Sequence, residues 1–171
     1  MDLPEADRET LYATVRQFRT INRLLTRSRL LIRRHIFDDA LKRGISAPRI
    51  VDLGAGGGDL ACWMVEAGRR KGLSPRILCL DHDPRVVSFA REQTAGESEI
   101  EVHCADAREL ERFAPVDYIF ANHFLHHLPT VELPGLLATI AACAEEGFLL
   151  NDLRRSRVSH LGYTALAALF L

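Results

Sequence analysis

Residues 51–59 read Val-Asp-Leu-Gly-Ala-Gly-Gly-Gly-Asp, and this stretch decides the fold. The apolar, β-branched run over 49–53 predicts a buried strand. An apolar-rich run over 59–70 predicts a helix, with Asp59 as its capping residue. Glycine accepts positive φ and lets the backbone approach a ligand closely, so the turn between strand and helix predicts a ligand cradle. The glycines at alternate positions in this turn are Gly54, Gly56 and Gly58.

Two classes of ligand use a turn of this kind, and the spacing separates them. The dinucleotide fingerprint G-x-G-x-x-G/A needs a small third residue, but Asp59 occupies that place. An NAD-dependent dehydrogenase is therefore the weakest interpretation. The pattern that is present is D-x-G-x-G-x-G, in which Asp52 stands two residues before Gly54. A glycine-rich loop without any ligand remains the simplest alternative.

The D-x-G-x-G-x-G pattern resembles motif I of the class I S-adenosylmethionine-dependent methyltransferases, whose cofactor carries no phosphate. The resemblance extends over about residues 20–165 and points to the small-molecule branch similar to the ubiquinone/menaquinone C-methyltransferases. It implies that Asp52 lies near the ammonium of the cofactor's methionine part. It also implies S-adenosylmethionine as cofactor and S-adenosylhomocysteine as product.

Composition places the chain among ordinary soluble domains. Its 171 residues suit one domain, and a net charge of −1 provides no strong field toward nucleic acid or a membrane. The four cysteines form no C-x-x-C pair, which is typical of reduced packing residues in a cytosolic protein. Neither a signal peptide nor a transmembrane run is visible in the sequence. We expect a cytoplasmic protein.

Strands and helices alternate from residue 48 onward. After the strand at 49–53, further strands are predicted at 76–80, 100–104, 116–121 and 147–152. Helices are predicted between them at about 59–70, 84–93 and 133–144, with Asp83 capping the second. This alternation predicts an α/β fold with a doubly wound, mostly parallel sheet. Strands of such a sheet end at one crevice, where Asp52, Asp81, Asp106 and Asn122 are expected to meet.

The first 47 residues are predicted to be an N-terminal arm ahead of a cofactor-binding core over 48–171. The arm is basic and helical over 1–44, and Gly44 is expected to end its second helix. Its arginines suit either contact with nucleic acid or a solvated face that covers apolar surface. We favour the solvated face. The family resemblance adds a third interpretation, a lid over the substrate that includes residues 21–25.

The resemblance also implies roles for residues at the strand ends. Asp81 is expected to accept the ribose hydroxyls. The Asp106 side chain and the Ala107 amide are expected to meet the adenine. The full set of expected cofactor-binding residues is Asp52, Gly54, Ala55, Gly56, Gly58, Asp81, His82, Asp106, Ala107 and Asn122.

Residues 117–129 resemble the fourth motif of the family and end in Leu-His-His-Leu-Pro. They lack the [DN]-P-P-[FYW] tetrapeptide, which argues against methylation of adenine or glutamine nitrogens. A hydroxyl acceptor must lose its proton, and histidine suits that task near neutral pH. His126 is the first candidate base and His123 the second. No close pair of ligands indicates a metal site.

The family fold ends in a sixth and a seventh strand, for which the chain to Leu171 leaves no room. We expect a shortened core whose C-terminal region pairs with a second copy of the chain. The predicted function is methyl transfer to an oxygen or carbon of a small molecule. The alternatives are a degenerate domain that serves only as a binding partner and an RNA methyltransferase.

Overall fold

The computed structural model describes residues 27–152, which form a parallel sheet with helices on both faces. The strands of this part are β1 (Arg49–Leu53), β2 (Arg76–Asp81), β3 (Ile100–Cys104), β4 (Val116–Asn122) and β5 (Ala144–Asn151). Their order is β3-β2-β1-β4-β5, and each neighbouring pair is parallel. The predicted doubly wound sheet is confirmed.

The helices of the described part flank this sheet. Helix α1 covers 28–43: Ser28–Ile32 and Asp38–Arg43 are α-helical, and Arg33–Phe37 between them is a π turn. The others are α2 (Asp59–Arg69), α3 (Pro84–Thr94) and α4 (Leu133–Cys143), with 3₁₀ helices at Ala107–Phe113 and Leu125–His127. The predicted lid at 21–25 and the C-terminal region expected to pair with a second copy lie outside the described residues, apart from the end of β5.

Two apolar layers enclose the sheet. Ile50 and Val51 are neighbours in β1 but pack in different layers, because successive side chains of a strand point to opposite faces. Ile50 packs with α1 and α2, whereas Val51 packs with α4 and the first 3₁₀ helix. The fully buried members of the first layer include Ile32, Phe37, Met64, Ile77 and Phe120. With both faces covered, the central strands are apolar in their middle parts, and their charged and amide side chains lie at or near the strand ends.

The ends of the helices test the predicted capping residues. Asp83 caps α3 by accepting a 2.9 Å hydrogen bond from the Arg85 amide, and Gly44 ends α1 with φ of +75°, so both predictions are confirmed. The predicted cap of α2 is wrong. Gly58 is the capping residue, in a left-handed conformation, and Asp59 is already the first helical residue.

Strand β5 begins at Ala144, three residues before the predicted start at 147. Glu145 and Glu146 have low strand propensity, which made this part of the sequence favour the end of a helix. On the strand, Glu146 instead pairs with Arg43 of α1 at 2.6 Å. A tertiary ion pair therefore offsets the weak local preference.

Arginines of α1 lie against apolar surface rather than projecting from it. The guanidinium carbons of Arg29 and Arg33 lie 5.3 and 5.4 Å from the centroid of the Trp63 ring. Phe37 stacks on the same ring with centroids 6.4 Å apart. For these two arginines the covering role favoured from the sequence is observed. Among residues 27–152, no helix has the length and apolar character needed to cross a membrane.

Candidate functional site

The glycine turn after β1 is anchored to the neighbouring strand. The amides of Gly54 and Ala55 both donate to the carbonyl of Leu80 in β2, at 2.9 and 3.1 Å. Gly54 and Gly56 have φ of +72° and +55°, a region that L side chains rarely adopt. Glycine is therefore required for the path of the backbone at both positions.

The three glycines of the turn differ in how much room a Cβ atom would have. A Cβ on Gly54 would lie 2.4 Å from Cδ2 of Phe124, a residue of the loop after β4. A Cβ on Gly58 would lie 2.8 Å from the methyl group of Thr94, where α2 packs on α3. At Gly56, no atom of residues 27–152 lies within 4 Å of that position, so the middle of the turn is open in this part of the chain. The turn can thus receive a ligand at Gly56.

Asp52 is a buried carboxylic acid beside this turn. It is only 2% exposed, and its Oδ2 atom has no hydrogen-bond partner in the described part of the chain. Burial raises its pKa to about 7, and the charges of Asp59 and Asp81 add to the rise. A buried acid without a partner is costly, so this atom marks a place where a hydrogen-bond donor or cation would bind favourably.

Asp81 joins the glycine turn to the end of β2. Its Oδ2 accepts from the Gly56 amide and its Oδ1 from the Asp83 amide, each at 3.1 Å. A carboxylate oxygen can accept more than one hydrogen bond, so both oxygens keep acceptor capacity. His82, the next residue, is largely exposed, and its Nδ1 lies 3.8 Å from Oδ1 of Asp81.

Asp106 follows β3 and is held by Arg108. Its Oδ1 accepts from the backbone amide and Nε of Arg108 at 2.9 and 2.8 Å, and its Oδ2 accepts from Nη2 at 2.9 Å. The Arg108 side chain and backbone lower the pKa of Asp106 to about 2, so it stays ionised. Ala107 is buried at the start of the 3₁₀ helix that Asp106 caps. Any ligand that binds Asp106 shares its carboxylate with Arg108.

Asn122 ends β4 in a network with two other side chains. Its Oδ1 accepts from the Ser28 hydroxyl at 2.7 Å and from Nδ2 of Asn151 at 2.8 Å. Asn151 also donates to the Ser28 oxygen at 3.0 Å. The network ties the start of α1 to the ends of β4 and β5. Because both lone pairs of Oδ1 are used, the Asn122 side chain can bind a further group only as a donor, through its NH₂ group.

A histidine and an aspartate pair across the loops after β4 and β5. Asp152 accepts from the His126 backbone amide through Oδ2 at 2.9 Å, and its Oδ1 lies 2.7 Å from Nδ1 of the His126 ring. The His127 ring packs against that of His126 with centroids 4.0 Å apart. His126 therefore has a fixed orientation.

His123 has a different environment from His126. It is half-buried and has φ of +53°, and its enclosed Nδ1 has no hydrogen-bond partner among the residues that the structure describes. Burial lowers its pKa, an effect that Asp152 partly opposes. His123 is therefore neutral near pH 7. Asp152 holds the ring of His126 through its Nδ1 atom, whereas no side chain of residues 27–152 holds the Nδ1 atom of His123.

The strand ends thus carry polar groups along one edge of the sheet, beside an open glycine turn. A family model described as "Methyltransferase domain" matches residues 50–147, which is more than half of the chain. The chain belongs to this methyltransferase domain family. The match runs from β1 into β5 and so includes the glycine turn, Asp81, Asp106 and the His126 loop.

Solved structures support the fold of this methyltransferase domain. Coclaurine N-methyltransferase, solved with N-methylheliamine and S-adenosylhomocysteine, has a TM-score of 0.56 and 18% identity over 88% of this chain. Phosphoethanolamine N-methyltransferase 1 of Haemonchus contortus, with phosphoethanolamine and S-adenosylhomocysteine, has a TM-score of 0.54 and 17% identity over 88%. A methyltransferase from Aquifex aeolicus, described as SAM-dependent, has a TM-score of 0.56 and 14% identity over 90%.

The methyltransferase domain covers unequal shares of these proteins. It spans 38% of the coclaurine enzyme and 34% of the Haemonchus contortus enzyme, but 76% of the Aquifex aeolicus protein. No curated protein sequence matches the chain. At these identities the likeness shows the fold alone.

The sequence did not predict four residues that contact the candidate site of the methyltransferase domain. They are Ser28, Phe124, Asn151 and Asp152. Asn151 and Asp152 stand at the end of β5, where the strand-end rule that selected Asp52 and Asp81 would also have selected them. Ser28 and Phe124 carry no such signal, because their contacts join distant parts of the chain.

Proposed function

We propose that the protein transfers a methyl group from S-adenosylmethionine to an oxygen or carbon of a small molecule. The observation that carries this proposal is the pair of carboxyl groups beside the open glycine turn. Asp52 has a buried oxygen without a partner, and Asp81 keeps acceptor capacity on both oxygens. A cation and a pair of hydroxyl donors are the groups that such a pair favours.

The residues present fit this cofactor. Asp52 would receive the ammonium of the methionine part, Asp81 the ribose hydroxyls, and Asp106 with Ala107 the adenine. Gly54, Ala55, Gly56, Gly58, His82 and Asn122 would line the rest of the site. When bound, S-adenosylmethionine supplies a methyl group on a positively charged sulfur, an activated centre that needs orientation more than further activation.

The acceptor side of the site rests on the loop after β4. His126 would serve as the base for an acceptor that must lose a proton, and His123 is the second candidate. The Leu-His-His-Leu-Pro ending at 125–129 supports placement in the small-molecule branch similar to the ubiquinone/menaquinone C-methyltransferases. A cytoplasmic location and a homodimer formed through the C-terminal region belong to the same proposal.

The two alternatives receive less support. A partner protein without activity would not need a carboxylic acid held at high pKa beside an open turn. An RNA methyltransferase would use the basic segment, but Arg29 and Arg33 lie on Trp63. Neither alternative is favoured by a further observation.

Calorimetric titration with S-adenosylmethionine and S-adenosylhomocysteine tests the proposal. We expect both to bind, and NAD not to bind. Asp81→Ala should weaken binding by roughly 10-fold or more, because it removes hydrogen bonds to a charged acceptor. Glu145→Gln, which removes an exposed carboxylate at the far end of β5, should bind like the wild type. A folded wild-type protein that binds neither ligand would overturn the proposal.

A further inference from the structure

Asp152 holds His126 at two points with one carboxylate. One oxygen accepts the His126 backbone amide at 2.9 Å, and the other lies 2.7 Å from ring Nδ1. The two side chains are 30% and 21% exposed, so solvent screens the contact only in part. Because both the backbone and the ring are held, the imidazole is fixed in position and in rotation.

The contact also determines where the proton of the neutral ring resides. An ionised carboxylate has no proton to donate, so Nδ1 must carry the hydrogen in the Nδ1···Oδ1 contact. The lone pair of the neutral ring is then on Nε2. Within residues 27–152, Nε2 makes no hydrogen bond. It is therefore available to accept a proton from a bound molecule.

The position of His126 links this ring to the glycine turn. His126 lies in the 3₁₀ helix Leu125–His127, directly after β4. Phe124, two residues earlier, packs against Gly54 so closely that a Cβ there would lie 2.4 Å from its ring. The loop that carries His126 is thus packed against the glycine turn, where a cofactor would bind.

We propose that Asp152 is a positioning residue that holds His126 ready to deprotonate a weakly acidic hydroxyl, such as a phenol or enol, which then receives the methyl group on oxygen. This inference rests on the proposed methyl transfer and commits it to an oxygen acceptor. In the proton transfer the O–H bond breaks, its electron pair stays on oxygen, and the proton goes to Nε2 of His126. A bound S-adenosylmethionine would supply the methyl group for the new O–C bond, and the electron pair of its broken C–S bond would remain on the sulfur of S-adenosylhomocysteine. The resulting imidazolium is stabilised by the Asp152 carboxylate and later releases its proton to water.

Among residues 27–152, the titratable groups near the His126 ring are Asp152, His127 and His123. Asp152 lies 2.7 Å from ring Nδ1, and the His127 ring centroid lies 4.0 Å from that of His126. Burial and the neighbouring His126 lower the pKa of His123, and Asp152 partly opposes this shift.

The tautomer of His126 is measurable without any ligand. In ¹⁵N-labelled wild-type protein near pH 8, long-range ¹H–¹⁵N correlation should show the Nδ1-protonated ring for His126, assigned by its loss in His126→Asn. Asp152→Asn should shift the ring toward the Nε2-protonated tautomer, and Glu145→Gln should leave it unchanged. An Nε2-protonated ring in the wild type would overturn the inference.

Kinetics with a phenolic acceptor provide the second test. Asp152→Asn and His126→Asn should each lower kcat by about 10²- to 10⁴-fold. Both should bind S-adenosylmethionine as the wild type does, which a merely structural defect would not allow. The loss should shrink at high pH, where the phenol ionises by itself. Full kcat in Asp152→Asn would overturn the inference, whereas absent cofactor binding in the wild type would instead overturn the proposed function.

Discussion

The amide of Gly56 donates a 3.1 Å hydrogen bond to Oδ2 of Asp81, so the glycine turn after β1 and the end of β2 share one carboxylate. Oδ1 of the same side chain accepts from the Asp83 amide at the start of α3. Asp81 therefore shapes the protein part of the crevice before any ligand binds. The role proposed for Asp81 in binding ribose would therefore be coupled to the role that it has in the turn.

Replacing Asp81 by asparagine should separate these roles. One amide oxygen can still accept, but the NH₂ group must face either the Gly56 or the Asp83 amide, donor against donor. We expect faster hydrogen exchange at the Gly56 amide in the ligand-free variant. We also expect S-adenosylmethionine affinity to fall by about 10- to 100-fold. Unchanged exchange at Gly56, measured by NMR, would show that Asp81 does not hold the turn.

Asp52 should make stability depend on pH. Burial, with Asp59 and Asp81 adding, raises its pKa from 3.8 to about 7. Between these values the folded protein retains a proton that the unfolded chain has lost. The free energy of unfolding therefore falls as pH rises from about 4 to about 7, by up to about 4 kcal/mol from this group.

Asp52→Asn tests that dependence, because an amide does not titrate. Urea denaturation at about pH 5 and about pH 8 should show the variant gaining stability relative to the wild type at the higher pH. Asp106, with a pKa of about 2, affects stability only at lower pH, outside this window. Equal differences between the two proteins at both pH values would contradict the buried position of Asp52.

Gly54→Ala should cost more stability than Gly56→Ala. Both substitutions place a side chain at positive φ, which costs about 1–2 kcal/mol. Only Gly54→Ala also meets Phe124, and such overpacking adds about 1–3 kcal/mol. In a Phe124→Ala background the additional cost should disappear. A double-mutant cycle by chemical denaturation measures this coupling, and a coupling energy near zero would argue against the contact.

Ser28→Ala should destabilise the protein by about 1–3 kcal/mol, since it leaves the Oδ1 of Asn122 without one of its two donors. Ser28 is fully buried, so water cannot replace the hydroxyl without rearrangement. Ser46→Ala, at an exposed position, should change stability by less than about 0.5 kcal/mol. Thermal or urea unfolding distinguishes the two variants; equal stability would show that the network contributes nothing.

The sequence was sufficient for the parts of the fold that local patterns control. Strand β3 has the predicted bounds, and Asp83 caps α3 as expected. Asp52 and Asp81 lie at the same edge of the sheet because β1 and β2 are parallel and both residues stand near the carboxyl ends of these strands. Where two local signals conflicted, the prediction was wrong: the left-handed Gly58 took the capping position that Asp59 was expected to fill.

Other parts of the site depend on packing between distant segments. His126 was selected from its loop and its chemistry, but its partner Asp152 lies 26 residues later. Their contact requires β4 and β5 to be neighbours in register, with Asn122 opposite Asn151. Phe124 meets Gly54 only because the loop after β4 folds over the turn. Periodicity and spacing along the chain do not carry such information.

Helix α1 is hydrogen-bonded to β4 at two positions along the strand. Near its start, Ser28 binds Asn122 at the end of the strand; further along, Asp39 accepts a 2.9 Å hydrogen bond from the buried Tyr118 hydroxyl. The helix consequently runs back along the sheet from the edge that carries the site. The first described residue, Arg27, therefore lies at the mouth of the crevice and not at the opposite end of the domain.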